Sequence, residues 1–78
     1  MSKREEIEQE IEETSEISHI YQRKPYSAVV VTYTTYDNYI VIGFGFSKVC
    51  HPDKWDAKIG IAIAHKRAIR DIRKQIMR

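Results

Sequence analysis

The residues best suited to chemistry stand in one short stretch, CHPD at residues 50–53. A cysteine beside a histidine can act as a nucleophile, and both are metal ligands. A zinc site needs four ligands in paired spacing, however, and His19 and His65 stand far away in the chain. Pro52 suits a helix start and Asp53 can cap the first turn, so we interpret the stretch as a structural corner. We therefore predict no enzyme activity, no metal site and no cofactor.

The second set of candidate residues is basic and lies near the C-terminus. Residues 59–78 carry six basic residues and one acid, whereas residues 1–20 carry two basic and seven acidic residues. Such segregation predicts that the two ends meet or that each faces its own partner. The predicted partner-binding residues are the bases of the last helix and two hairpin tyrosines: Lys66, Arg67, Arg70, Arg73, Lys74, Tyr33 and Tyr39.

A long helix over residues 53–77 must position these basic residues. Apolar residues recur there at steps of three and four, the spacing of one helical face. The predicted buried stripe comprises Trp55, Ile59, Ala62, Ile63, Ile69, Ile72 and Ile76. Gly60 lies within the helix and is followed by several alanines, which predicts close approach to another backbone.

An antiparallel β-hairpin over residues 26–50 precedes this helix. The segment 26–36 is dense in β-branched and aromatic residues, Asp37-Asn38 is a turn signal, and 39–50 forms a second strand. Alternation gives both faces apolar residues, which one helix cannot cover, so a second surface is expected to close over the hairpin. Gly43 and Gly45 share one face and predict either close packing of the helix or a bulge.

The N-terminal residues 1–22 are predicted to form an acidic helical arm, with the helix running from Ser2 to about Tyr21. Its apolar stripe is narrow, and seven of its residues are glutamates. Two interpretations stay open. The helix is docked along the basic C-terminal helix, or it is an arm that dimerises or mimics nucleic-acid phosphate.

Together these elements predict one small α+β domain, residues 1–78, in the order α-β-β-α and dimeric through the uncovered hairpin. A lone cysteine excludes an intrachain disulfide and fits a reducing compartment. No apolar run approaches the roughly 20 residues that cross a bilayer. We therefore expect a cytoplasmic protein with no membrane partner.

Part of the chain resembles a group of small bacteriophage proteins. A hairpin followed by VCHPDKWD and IGIAIAHKRAI, over roughly residues 28–70, resembles short proteins of unassigned role from phages of Gram-positive hosts. The resemblance implies an accessory protein, of the anti-defence or anti-CRISPR kind, in the host cytoplasm. The expected function is non-enzymatic inhibition of a host defence nuclease, such as a CRISPR-Cas effector, through protein contacts.

A second likeness is to the double-stranded-RNA-binding-like domain of a small-subunit ribosomal protein. AVVVTYTTYDNYIVIGFGFSK followed by AIAHKRAIRDI, over residues 28–72, is similar to that domain. It implies the alternative function, a nucleic-acid-binding module that uses the basic C-terminal helix and stacks bases on hairpin aromatic residues.

Overall fold

The computed structural model describes residues 3–48 and 57–77. Two helices and three strands follow one another in the order α1 (Lys3–Thr14), β1 (Glu16–Arg23), β2 (Tyr26–Thr34), β3 (Ile40–Lys48) and α2 (Ala57–Ile76). The predicted α+β class is confirmed, with one more strand than expected. The CHPD corner with the Asp53 cap, the predicted helix start at Ser2, and Trp55 of the predicted stripe lie outside the described residues.

The three strands form one antiparallel sheet in the order β1-β2-β3. The predicted hairpin is confirmed as β2 and β3, with Val30 opposite Phe44. Its loop spans residues 35–39 and is longer than the predicted turn at Asp37-Asn38, because the Thr35 N–H donates to the Tyr39 carbonyl oxygen at 2.8 Å and closes a wider turn. Asn38 has φ 65°. Asparagine tolerates this left-handed conformation, which explains the turn signal.

The prediction of a helix from Ser2 to about Tyr21 is wrong beyond Thr14, and with it the extent of the 1–22 arm. The Thr14 hydroxyl donates to the Glu10 carbonyl oxygen at 2.8 Å at the last turn of α1. The chain then enters β1, EISHIYQR, whose isoleucines and tyrosine favour extended backbone. Pairing with β2 satisfies the backbone groups of β1 that point towards β2, and a bulge interrupts this pairing between Ile17 and His19.

The core lies between the two helices and one side of the sheet, which we call the covered face. Its buried apolar residues are Ile11, Val29, Val31, Ala64, Ala68, Ile69 and Ile72. The predicted close approach of helix and hairpin is confirmed. A Cβ added to Gly45 would overlap the Ala64 carbonyl oxygen, and one added to Gly43 would overlap Ile72.

The buried side of α2 differs from the predicted apolar stripe. Ile59 and Ile63 are exposed to 53% and 38%, although Ile69 and Ile72 of the stripe are buried. The residues facing the sheet at every fourth position include Gly60, whose carbonyl oxygen accepts the Ser47 hydroxyl at 2.7 Å. Gly60, Ala64 and Ala68 occupy this side where the backbone of α2 lies almost against β3, and the larger Ile72 fits where it faces Gly43.

The acidic helix is docked on the basic helix. Glu8 Oε1 lies 3.5 Å from Arg70 Nε and 3.7 Å from Arg73 Nε. Ile11 of α1 is fully buried beside these contacts, and Ile7 packs against the same core. Of the two interpretations of the N-terminal segment, the structure has the docked helix, over residues 3–14.

Candidate functional site

The second side of the sheet, which we call the open face, presents large apolar side chains. Alternation along β2 and β3 sends every second residue away from the helices. On β3 the outward residues before Lys48 are isoleucines and phenylalanines, and all four are at least 46% exposed. The exposed apolar and aromatic residues of this face are Tyr21, Tyr26, Ile40, Ile42, Phe44 and Phe46.

Aromatic rings on the open face are arranged by strand pairing. The rings of Tyr26 and Phe46 have centroids 5.6 Å apart and planes inclined by 27°. On β1, the rings of His19 and Tyr21 stack with centroids 5.9 Å apart and planes at 8°. These contacts hold the rings in defined orientations, so the face is preorganised for contact.

One end of the open face is positively charged. The register places Arg23 opposite Tyr26, and Tyr26 opposite Lys48. Lys48 Nζ lies 5.6 Å from the centre of the Tyr26 ring, a cation–π contact. Glu16, opposite Thr32, lies towards the other end of β1 on the same face. The face is therefore an apolar strip with a basic end.

The predicted basic residues do not form one free surface. Arg70 and Arg73 face Glu8, and the Arg73 side chain is 14% exposed. Arg67 turns towards the sheet, where its Nη1 donates to the Phe46 carbonyl oxygen at 2.7 Å. Lys66 and Lys74 are exposed on α2.

The two predicted tyrosines lie apart from each other. Tyr33 is partly buried and packs against the core on the covered face. Tyr39 is 71% exposed in the hairpin loop, beside Ile40 of the open face. The structure therefore spreads the seven predicted site residues over the helix pair, the β3 edge, the core and the loop.

The sequence prediction missed His19 and Tyr21 as surface residues of the sheet, because it placed them in a helix. Alternation predicts that Phe46 and Ile42 share one strand face, but the predicted site does not contain them. The sequence feature that indicates this exposed face is the alternation of glycine and phenylalanine in GFGF, residues 43–46. Glycines that let a helix approach force the intervening phenylalanines onto the opposite face.

The outer edge of β3 is closed by side chains of α2 spaced four residues apart. Arg67 donates to the Phe46 carbonyl oxygen, and the Phe44 N–H donates to Asp71 Oδ2 at 3.0 Å. Gln75 Nε2 donates to the Ile42 carbonyl oxygen at 2.8 Å. One helix thus takes up one outward backbone group from each of three alternate residues of an edge strand, groups that another strand would otherwise use.

Within residues 3–48 and 57–77, no three His, Cys, Asp or Glu side chains are grouped to hold a metal ion. Neither described helix is long and apolar enough to cross a membrane. Searches for similar proteins found no match to the chain among protein-family models, curated proteins or solved structures.

Proposed function

We propose that this chain is a non-enzymatic binding domain that docks a protein partner through its open face. The observation that carries the proposal is the exposure of Ile42 and Phe44, at 58% and 55%, in the middle of an apolar strip. Contiguous apolar patches of this kind are uncommon on monomeric proteins and mark interaction sites. Aromatic anchors within such a patch supply most of the binding energy of many interfaces.

The chemistry of the face defines the partner. An apolar protein surface with an acidic group at one side fits a strip that ends in Arg23 and Lys48. We propose a host or defence protein as this partner, and a nuclease such as a CRISPR-Cas effector as the specific case. That identity is supported by the sequence resemblance to small phage proteins.

A protein partner is favoured over nucleic acid because the aromatic side chains of the open face lie apart from most of the basic residues. Single-stranded nucleic acid is bound where stacking rings lie within a basic groove that follows the phosphates. Here Phe46 and Tyr26 lie on the open face, while Arg70 and Arg73 lie beyond the covered face, against Glu8.

Nucleic-acid binding is the second candidate, and one observation favours it. A shallow groove at the β3 edge is lined by Phe44 together with Arg67, Arg70 and Lys74. A nucleic-acid strand that crosses this edge would contact the basic residues of α2 and then reach the ring of Phe44. Asp71 also lines the groove and reduces its positive charge.

A matched pair of substitutions tests the proposed function. Ile42→Glu places a charge in the open face, and Ile59→Glu makes the same change on α2 at a similar exposure, 58% against 53%. Both variants should keep their circular dichroism spectrum. We expect wild type and Ile59→Glu to capture the same stoichiometric partner from a lysate of a Gram-positive bacterium, and Ile42→Glu to lose it by more than tenfold, because one charge buried without a partner costs more than ~1.4 kcal/mol.

The captured protein is then identified by mass spectrometry and, if it is a nuclease, its DNA cleavage is measured with each variant. Equal capture by both variants would overturn the open face as the docking site. Gel shifts with single-stranded and double-stranded nucleic acids at low and high salt test the second candidate. Retardation that is lost in Lys74→Ala, with no protein captured, would replace the proposed function by nucleic-acid binding.

A further inference from the structure

The two edges of the sheet are treated differently by the rest of the chain. The β3 edge is closed by Arg67, Asp71 and Gln75. At the other edge, all eight residues of β1 are exposed. Ile17 and Ile20, which are 46% and 48% exposed, point to the side of the covered face and are not sheltered by the helices. Natural proteins usually guard an edge strand, because its free backbone groups pair readily with another strand.

We propose that β1 pairs antiparallel with β1 of a second copy, joining two sheets into one of six strands. The strand has an acid at its start, Glu16, and a base at its end, Arg23. Among the residues that the structure describes, neither makes an ion pair. Antiparallel pairing brings Glu16 of each copy opposite the partner's Arg23, whereas parallel pairing would align like charges.

The bulge in β1 places Glu16 and Arg23 so that both can pair with the second copy in one antiparallel register. Seven residues of β1 pair with β2, and Ser18 is left out between Ile17 and His19. The middle one of the seven is Ile20, which would lie on the two-fold axis opposite its own copy. Glu16 and Arg23 are opposite Thr32 and Tyr26, both on the open face, so their side chains emerge on the same side. Without the bulge the two would lie on opposite sides.

Two of the three remaining positions also match, and the third places Ile17 opposite the partner's Gln22. In this register His19 lies opposite the partner's Tyr21, and both belong to the open face, where their rings already stack within one chain. Ile20 meets Ile20 of the partner subunit on the other side. An apolar centre flanked by two ion pairs is the complementarity expected of an isologous interface. A second copy therefore fits this edge through the strand's own sequence.

The pairing has a consequence for binding. The two open faces become one continuous surface of twice the width, so each dimer presents two copies of the apolar strip. The inference depends on the β1 edge and not on the proposed function of the open face. A single strand pair is smaller than a standard interface of roughly 1,200–2,000 Å², so we expect a dissociation constant on the order of micromolar.

Charge reversal on the full chain tests the pairing, with sedimentation equilibrium from about 1 µM to about 1 mM as the measurement. Glu16→Arg and Arg23→Glu each turn two attractive contacts of the dimer into repulsive ones. Each should weaken self-association by about tenfold. Mixing the two variants should restore dimers, because an all-basic strand then faces an all-acidic one. The double variant Glu16→Arg/Arg23→Glu should dimerise like wild type.

Ile42→Glu is the control, since it changes the open face and leaves β1 intact; it should dimerise like wild type. Three outcomes would overturn the pairing: a monomer at about 1 mM, a dimer insensitive to both charge reversals, or a dimer lost only in Ile42→Glu, which would mean that copies meet through the open face. The proposed function has its own readout, because Glu16→Arg leaves the apolar strip of the open face unchanged and should still capture the protein partner, whether or not it dimerises.

Discussion

On the covered face of the sheet β3 presents Gly43 and Gly45, and on the open face the intervening residues are Phe44 and Phe46. The fully buried residues of the strand, Gly43, Gly45 and Ser47, are therefore its smallest, and the exposed side carries its largest. In most half-buried strands the large apolar residues are the buried ones. Here the backbone of α2 lies close to the strand and makes the core contacts itself. The large side chains of β3 lie on the open face.

This difference separates folding from binding on one strand. Residues of the covered face are constrained by the backbone of α2, so their substitution is expected to affect stability. Residues of the open face have few neighbours in their own chain, so their substitution is expected to affect partner binding. The predictions below test this separation, beginning with the largest expected effect.

Gly45→Val is expected to prevent folding. Even the Cβ of the new side chain would overlap the Ala64 carbonyl oxygen, which belongs to helix backbone and cannot move aside alone. The expected loss is more than about 3 kcal/mol, enough to unfold a domain of this size. Circular dichroism during thermal denaturation measures it. Phe44→Val, the same new residue one position earlier, should cost less than about 1 kcal/mol. A folded Gly45→Val variant would show that the helix approach is not a constraint.

Ile72→Ala and Ile42→Ala compare one side chain type across the two faces. Ile72 is fully buried and Ile42 is 58% exposed. We expect Ile72→Ala to lose about 2–4 kcal/mol of unfolding free energy, since it leaves a cavity in the core. Ile42→Ala should lose less than about 1 kcal/mol. Urea denaturation gives both values, and equal losses would contradict the assignment of the two faces.

Ser47→Ala and Ser27→Ala give the smallest effect, within the covered face itself. Ser47 is buried and donates to the Gly60 carbonyl oxygen, so its loss should cost about 1 kcal/mol. The Ser27 hydroxyl is also buried but has no hydrogen-bond partner among the described residues. Ser27→Ala should therefore leave stability within about 0.5 kcal/mol of wild type or raise it. Urea denaturation measures both losses of unfolding free energy. A larger loss in Ser27→Ala than in Ser47→Ala would show that the Ser47 hydrogen bond does not help to hold α2.

The sequence predicts the hairpin and the closeness of the second helix well, because both depend on local signals. Alternation from residue 26 onward fixes which residues share a face, and Gly43 with Gly45 indicates the approach of a helix. The pattern predicts too long a first helix, because Ile17, Ile20 and Tyr21 also fit a helical stripe. What decides their strand conformation is pairing with β2, a contact over many residues that spacing alone does not contain.

The candidate site was less predictable for the same reason. The spacing of Lys66, Arg70, Arg73 and Lys74 places them correctly on α2, but it does not show that Glu8 lies against two of them. Helical spacing of apolar residues predicts that Ile59 and Ile63 are buried, but both are exposed, because this spacing does not include the size of the side chains. Tertiary packing chose the small residues of α2 instead.

Photo-crosslinking tests the central claim, that a protein docks on the open face, most directly. A benzoylphenylalanine residue at position 44 or at position 59 is irradiated in a lysate of a Gram-positive bacterium, and the adducts are separated by size. We predict a discrete heavier band from position 44 whose partner is identified by mass spectrometry, and no such band from position 59. A discrete band from position 59 with none from position 44 would contradict the claim.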